Sequence, residues 1–465
     1  MLRCSGWMAS FLLLAAVSIF GNDQQGAAAK RPGEQLVPRI FELLGHPDRE
    51  FRAAALETIR TAARGAAQTE AFAAQLPKLD DAGQAALIIA LGDRGDAAAR
   101  PAILERLGNS KDESVRSAAL LALGELSDLA DLPRLIRELT SNSAAEQQAA
   151  RTALVRMRGE SVAGKIAAES MNAASNVRGR LIDVLAARRA TKESAAILAA
   201  AGDEDAQVRT SAMNALGQIG RPEQLPALLA GVLKAAKGGE RDNAERNIAE
   251  VCKRIENEDQ RGEALIQALG TIDPEKRDEL MSLVGRVGGK RLIRFVADIA
   301  TGTDAARRAF GIDALGKWPD ASPADTLLEI AGKASDSAER RQAFQAFVKV
   351  SAIRDNRNDQ QRLERMKQAM TEARSNEEKI AVIQRTRTAY DVESMRFVRP
   401  YLEQPEFRQM ACETIVELAH HRQVREPHKT EFDAVLDKVI QLTKDDEHIE
   451  RANRYKRGQT WERKK

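Results

Sequence analysis

The feature that most constrains this fold is an internal repeat of about 32 residues. Segments beginning at Asp112, Asp205 and Asp304 each carry an Arg four residues later and Ala-Leu-Gly ten to twelve residues later. We take the Leu of Ala-Leu-Gly as a landmark and fill in the missing periods. A period of this length is typical of stacked supersecondary units. The twelve landmarks are Ile59, Leu91, Leu123, Leu154, Leu185, Leu216, Val251, Val284, Leu315, Phe347, Thr386 and Ile415.

Two charged residue types recur at fixed places in this register. An Asp often lies eleven residues before the landmark, where its side chain can accept hydrogen bonds from the free N–H groups that begin a helix. An Arg often lies seven residues before the landmark, one turn further along the same helix face. We predict that these residues are structural elements of the repeat. They include Asp48, Arg52, Asp112, Arg116, Arg178, Asp205, Arg209, Asp273, Arg277, Asp304, Arg308, Asp336, Arg340 and Arg408.

Each repeat is predicted to be a pair of antiparallel helices. An amphipathic segment such as 101–107 or 225–233 precedes each landmark helix. The chain has 79 alanines in 465 residues, and small residues of high helix propensity favour closely packed helices. The Gly after several landmarks is expected to close the last helical turn in a left-handed conformation. The fold class expected is all-α, an armadillo-like α-α superhelix of about twelve helix pairs.

The segments 112–124 and 205–217 resemble the HEAT repeat, in particular the variant called PBS-lyase HEAT-like. The resemblance covers about 35–421, with a weaker terminal pair at 431–455. It implies an α-solenoid in which the Asp and Arg residues form a ladder of contacts between neighbouring repeats. It also implies two functions. One is a scaffold that binds a protein partner on its concave surface, and the other is a lyase or isomerase acting on a partner-bound chromophore.

The N-terminus has the three-part pattern of a secretory signal. Arg3 precedes an uncharged apolar run over 8–20, and Gly21 follows it. A signal over 1–21 is predicted, with cleavage possible as late as 29, and it implies a periplasmic or extracellular protein. An uncleaved signal would instead anchor the chain. No later run has the length of a membrane span, so none is expected in the mature chain.

Composition shifts divide the rest of the chain. We predict a disordered leader over 22–33, an N-terminal array over 34–233 and a middle array over 234–353. C-terminal repeats then cover 354–425, and capping helices with a basic tail cover 426–465. The period lengthens at two charged inserts, which begin at Lys234 and Arg354 and are predicted to be flexible seams or protruding loops.

The residues give little sign of catalytic chemistry, and we predict neither an enzyme nor a cofactor. The glycines of 285–291 have the wrong spacing for a phosphate-binding loop and are interpreted as a turn. Four of the five histidines lie at positions 420, 421, 428 and 448, and Glu417 lies one turn from His421. A metal site there is the alternative to the favoured interpretation as surface histidines. Cys252 and Cys412 are too distant to pair and are expected to be packed as free thiols.

The last fifteen residues carry a net charge of about +6, whereas the whole chain carries +3. Tyr455 and Trp461 lie among these cations, so the tail provides an alternative function, binding to nucleic acid or to an anionic surface. The favoured hypothesis is an exported, non-catalytic scaffold for a protein partner whose identity the sequence leaves open. Such a scaffold can also support a separate enzyme or secretion machine. Neither nucleic acid nor a small-molecule substrate is the favoured ligand.

Overall fold

The computed structural model describes residues 32–62 and 64–461. The predicted signal over 1–21 lies outside the described residues, as does most of the predicted leader over 22–33. The first helix begins at Pro32, two residues before the predicted start of the array. The described residues form helices and no strands, which confirms the predicted all-α fold class.

The chain divides into two compact units between Ile219 and Gly220. The described part of unit 1 contains six helix pairs, whose odd-numbered members we call first helices and whose even-numbered members we call second helices. These are α1 (Pro32–Leu44), α2 (Arg49–Thr61), α3 (Ala66–Ala73), α4 (Asp81–Arg94), α5 (Arg100–Asn109), α6 (Glu113–Leu126), α7 (Leu132–Glu138), α8 (Ala144–Arg156), α9 (Val162–Asn172), α10 (Ser175–Ala187), α11 (Ser194–Ala200) and α12 (Ala206–Ile219).

Unit 2 continues the alternation with longer and more irregular pairs. Its first helices are α13 (Leu225–Lys234), α15 (Glu258–Gly270), α18 (Lys290–Ala300), α20 (Ala324–Lys333), α22 (Asp359–Glu372), α24 (Val392–Val398) and α27 (Lys429–Leu442). Its second helices are α14 (Gly239–Lys253), α16 (Pro274–Arg277) with α17 (Met281–Val287), α19 (Ala305–Leu315), α21 (Ser337–Ser351), α23 (Asn376–Thr386), α25 (Arg408–His420) and α28 (Asp446–Lys456), while the short α26 (Arg422–Arg425) follows α25.

Short 3-10 segments extend or introduce several of these helices. They are Leu76–Lys78, Ala97–Ala99, Leu129–Asp131, Thr191–Glu193, Pro222–Gln224, Asp278–Leu280, Arg399–Glu403 and Glu426–His428. Segments of this kind are common where one helix leads into another.

The two charged inserts, both predicted to be flexible seams or protruding loops, have different structures. The first insert is mostly helical, because α14 begins at Gly239 and runs for 15 residues. The second leaves a short loop over 353–358 before α22 begins. The predicted boundary between residues 233 and 234 falls at the end of α13, inside unit 2, because α13 packs against α14.

The recurrent Asp residues begin the second helices, as their positions predict. Asp112 is the N-cap of α6, and its carboxylate accepts hydrogen bonds from the backbone N–H groups of Ser114 and Val115. Ser143 does the same for α8 with the N–H of Glu146. These caps satisfy N–H groups that a helix start leaves unpaired. Equivalent side-chain caps are made by Asp48, Asp80, Asp205, Asp273, Asp304, Asp336 and Ser375.

The landmark residues form the centre of each pair, since Leu91, Leu123 and Leu154 are all fully buried. The Gly after the landmark, however, does not close the helix in a left-handed conformation. Gly92 and Gly124 have ordinary helical dihedrals and lie inside α4 and α6. A Cβ on either would lie 2.8 Å from the Cα of an alanine, Ala122 or Ala153, on the next second helix. These glycines therefore allow second helices of adjacent repeats to approach closely.

We predict that Gly124→Ala destabilises unit 1. The added methyl group would overlap the backbone of α8 at Ala153, and overpacking of this kind costs about 1–3 kcal/mol. The midpoint of thermal unfolding, followed by circular dichroism, should fall.

Gly108→Ala is the matched control, because Gly108 lies in α5 with nothing within 4 Å of an added Cβ. That change should leave the midpoint unchanged or raise it, since alanine stabilises a helix by about 0.5–1 kcal/mol relative to glycine. Equal midpoints for the two variants would contradict the proposed close approach.

Candidate interaction surface

Three of the recurrent Arg residues join neighbouring repeats through a glutamate. The guanidinium of Arg116 donates from Nε to Glu146, 2.8 Å away, and from Nη2 to Glu138, 2.9 Å away. Glu146 lies three residues after the cap of the next second helix. Arg308 contacts Glu339 in the same way at 2.8 Å, and Arg340 contacts Glu378.

The same Arg residues also close the loop between the two helices of their own pair. Arg209 donates to the backbone carbonyls of Asp203 and Glu204, six and five positions earlier. The guanidinium thus supplies donors to a turn whose carbonyls have no helical partner. Similar bonds to preceding carbonyls are made by Arg52, Arg178, Arg277, Arg308 and Arg408.

The ladder implied by the resemblance therefore has a different composition. Asp112 and Asp304 accept hydrogen bonds from the N–H groups of their own helices. The side-chain partners in the next repeat are Glu146 for Arg116 and Glu339 for Arg308, and Asp203 for Arg178. An Asp at the N-cap is occupied by its own helix N-terminus, so a carboxylate one turn further on is better placed to meet the neighbouring Arg.

A second set of arginines was not identified from the sequence. Arg94 donates from Nη1 to the carbonyl oxygens of Ile59 and Ala62, at 2.6 and 2.7 Å, at the end of the preceding second helix. Arg188 makes the equivalent bond to Leu154 at 2.6 Å. Carbonyls at a helix C-terminus lack partners and favour a cation. Both arginines lie three residues after a landmark, so the repeat register could have predicted their positions.

The exposed side of the second helices forms a regular surface. The residue two positions before the landmark is exposed or half-buried in every pair of unit 1, while the landmark beside it is fully buried. We call this set the second-helix row of unit 1. Its members are Glu57, Ile89, Leu121, Thr152, Asp183 and Asn214.

The row has a mixed chemical character that suits contact with a protein. Ile89 is 41% exposed, which is unusual for a large aliphatic side chain. Asp183 is half-buried, and burial raises its pKa even though Ser211 donates a hydrogen bond to it and Arg151 and Arg180 lie nearby. The row thus combines apolar, uncharged polar and charged side chains on successive second helices.

The clustered histidines serve packing. Glu417 pairs with Arg451 at 2.8 Å, and the ring of His421 stacks on Tyr390 with centroids 3.7 Å apart. Burial lowers the pKa of His421, and Nδ1 of His420 lies 3.0 Å from the Tyr455 hydroxyl. Within residues 32–62 and 64–461, no three His, Cys, Asp or Glu residues lie where they could hold a metal ion.

The basic tail differs from its sequence interpretation at Tyr455. That ring is fully buried, with the guanidiniums of Arg425 and Arg451 over it at 5.2 and 5.9 Å, so it cannot stack on a base. Trp461 is half-buried beside Arg454, at 5.8 Å. Several cations of the tail are thus engaged within the last helix pair.

The remaining sequence candidates are structural. Gly288 and Gly289 have positive φ values and form the turn between α17 and α18, as expected. Cys252 and Cys412 are free and buried, and burial raises the pKa of their thiols to about 12 and about 11. Among the helices of the described residues, none combines the length and apolar character needed to cross a membrane.

We predict that Arg116→Ala weakens the junction between its repeat and the next. The change removes two ion pairs and leaves Glu146, whose side chain is 9% exposed, without its cation. Hydrogen bonds to charged groups contribute about 1.5–3 kcal/mol each, so the urea midpoint of unit 1 should fall clearly. Arg158→Ala is the control. Its pair with Glu125 also joins two repeats but lies at the surface, where a pair contributes about 0–1 kcal/mol.

The loss should depend on pH. The Arg116 hydrogen bond holds the pKa of Glu146 below its usual value. The pair's contribution is therefore complete above the unfolded value of about 4.3 and disappears as the pH falls through the lower folded value. The gap in stability between wild type and Arg116→Ala should narrow below about pH 4. A gap that stays constant with pH would contradict this assignment.

Comparison with known proteins supports the repeat. Residues 69–155 and 165–249 match the family model for HEAT repeats. No curated protein sequence matches the chain. Similar solved structures include the karyopherin Kap121p bound to the extreme C-terminus of the protein phosphatase Cdc14p, with a TM-score of 0.48 and 11% identity over 96% of this chain and 56% of that one. Yeast importin-beta (Kap95p) gives a TM-score of 0.39 and 10% identity over 88% of this chain and 64% of that one.

A third similar structure is human deoxyhypusine hydroxylase, with a TM-score of 0.25 and 16% identity over 62% of this chain and 96% of that one. The match to Kap121p covers 56% of that protein, so this chain spans little more than half the length of the Kap121p chain. The sequence match covers repeats in both units, and the helix pairs continue on either side of it. The chain is therefore an all-α protein that contains HEAT repeats.

Proposed function

We propose that this protein is a non-catalytic scaffold that binds a protein partner through the exposed faces of its second helices. The observation that carries the proposal is the second-helix row of unit 1, in which one position of each repeat is exposed or half-buried beside a fully buried landmark. Stacked repeats use extended surfaces of this kind to hold partners. One shallow pocket of unit 2 lies instead on a first helix, along Arg357, Gln361 and Arg365 of α22 and the loop before it.

Photo-crosslinking tests which helix faces meet the partner. A benzophenone amino acid would replace Leu121 on α6 or Gln345 on α21, and the protein would be irradiated in extract from its source. Matched controls carry it on exposed positions of first helices, at Met171 on α9 and Lys333 on α20. We expect the same partner band from the two second-helix positions and none from the two controls. Crosslinks from the first-helix positions alone, or from no position, would refute the proposal.

We further propose that the protein is exported. The support is the N-terminal sequence, with Arg3, the apolar run over 8–20 and Gly21. N-terminal sequencing of the protein from its native cells should find a mature chain that begins between residues 22 and 30, in the envelope or secreted fraction. A chain that begins at residue 1 or 2 and fractionates with the cytosol would disprove export.

A further inference from the structure

The second helices of unit 2 carry a line of cations that unit 1 lacks. The position two residues after the landmark is Lys or Arg in four successive repeats of unit 2, namely Lys253, Arg286, Lys317 and Lys349. In unit 1 the same position holds Thr61, Asp93, Glu125, Arg156, Ala187 and Gln218. The next repeat of unit 2 adds Arg385, one position before its landmark. We call Arg286, Lys317, Lys349 and Arg385 the basic stripe.

Two members of the basic stripe are paired with acidic side chains, on the preceding second helix for Arg286 and on its own helix for Lys317. Arg286 donates to Glu245 at 2.9 Å and to Asp242 at 2.7 Å. Lys317 donates from Nζ to the hydroxyl of Ser282 at 2.6 Å and pairs with Asp313 at 2.8 Å. Asp242, Glu245 and Asp313 are therefore already engaged by Arg286 and Lys317.

The other two members have no such partners. Lys349 is exposed and Arg385 is half-buried. Among the described residues, neither side chain makes a hydrogen bond or an ion pair. Partial burial lowers the pKa of Lys349, and the nearby charges of Lys317, Arg385 and Arg286 lower it further against the opposing effect of Asp313. The other three cations of the stripe therefore lie close enough to act on Lys349, and an external anion at Lys349 and Arg385 would offset this positive charge.

The neighbouring side chains favour a polypeptide as the source of that anion. Gln345 and Gln384 lie two residues before the landmarks of the same two repeats, where their amides can bond to a peptide backbone. The carboxylates of Asp242, Glu245 and Asp313 interrupt the positive field, which suits an acidic chain with spaced charges better than a continuous phosphate backbone.

We propose that the basic stripe binds an extended acidic segment of the partner protein, an inference that rests on the proposed scaffold function. Packed helices lie about 8–10 Å apart, and an extended chain advances about 3.3 Å per residue. Carboxylates about three residues apart would therefore reach Lys349 on α21 and Arg385 on α23. The partner's segment crosses these second helices rather than running along one of them.

Fluorescence anisotropy on the purified protein tests this assignment. The probe is a labelled twelve-residue peptide with Asp or Glu at every third position and Gly or Ser between them. The double variant Lys349→Glu/Arg385→Glu should bind it at least tenfold more weakly than wild type. Lys333→Glu/Lys367→Glu changes the net charge equally on the first helices α20 and α22, where both lysines lie at the surface, and it should retain nearly all of the affinity.

Three outcomes would overturn the inference. The first is that the acidic peptide binds both double variants equally well. The second is that the wild-type protein binds a peptide with Asn and Gln in place of the acids as tightly as it binds the acidic peptide. The third is tighter binding of a single-stranded oligonucleotide or of phosphatidylglycerol vesicles through the same two residues. If Leu121 still crosslinks its partner in the absence of peptide binding, the scaffold function stands and only the basic stripe is refuted.

Discussion

The close approach of adjacent second helices is the contact on which the rest of each unit depends. Gly92 and Gly124 meet the backbone at Ala122 and Ala153 with no room for a side chain between them. Because second helices must lie this close, the landmark side chains are fully buried and the opposite side of each helix is left open. The surface row and the buried core are thus two results of one packing distance.

Charge then fixes how one repeat sits on the next. The guanidinium of Arg116 joins three parts of the chain, which are the carbonyl of Leu107 in the last turn of α5, Glu138 and Glu146. A planar group with five donors suits such a junction better than a lysine would. Arg94 and Arg188 do comparable work at the other end of the second helices, on carbonyl groups. These three arginines therefore have a structural role.

The sequence predicts the fold well because the repeat is local and regular. The all-α class, the helix pairs and the capping by Asp112 and its equivalents follow from spacing and elementary helix chemistry. The glycines were misassigned because a Gly near a helix end is compatible with a left-handed cap or with close packing, and only the neighbouring helix decides between them. Tyr455 was misassigned for a related reason, since a basic sequence around a ring does not reveal its burial.

The candidate surface was only partly accessible from the sequence. The register places Leu121 and Lys349 on second helices, but the exposure of each depends on how neighbouring pairs pack. The inter-repeat glutamates Glu146, Glu339 and Glu378 each lie three residues after a helix cap, so the repeat register also predicts their positions. The pairing of Arg286 and Lys317, against the lack of partners at Lys349 and Arg385, requires the positions of side chains from several repeats.

The short reach of these contacts has a consequence for how the chain acquires its structure. Even a long-range side-chain bond such as that between Arg286 and Asp242 joins positions only 44 apart, so no stage of folding has to wait for a distant segment. Chains rich in local contacts fold quickly, and in repeat arrays structure can nucleate at several points and spread. A nascent chain can therefore complete one helix pair after another as it emerges.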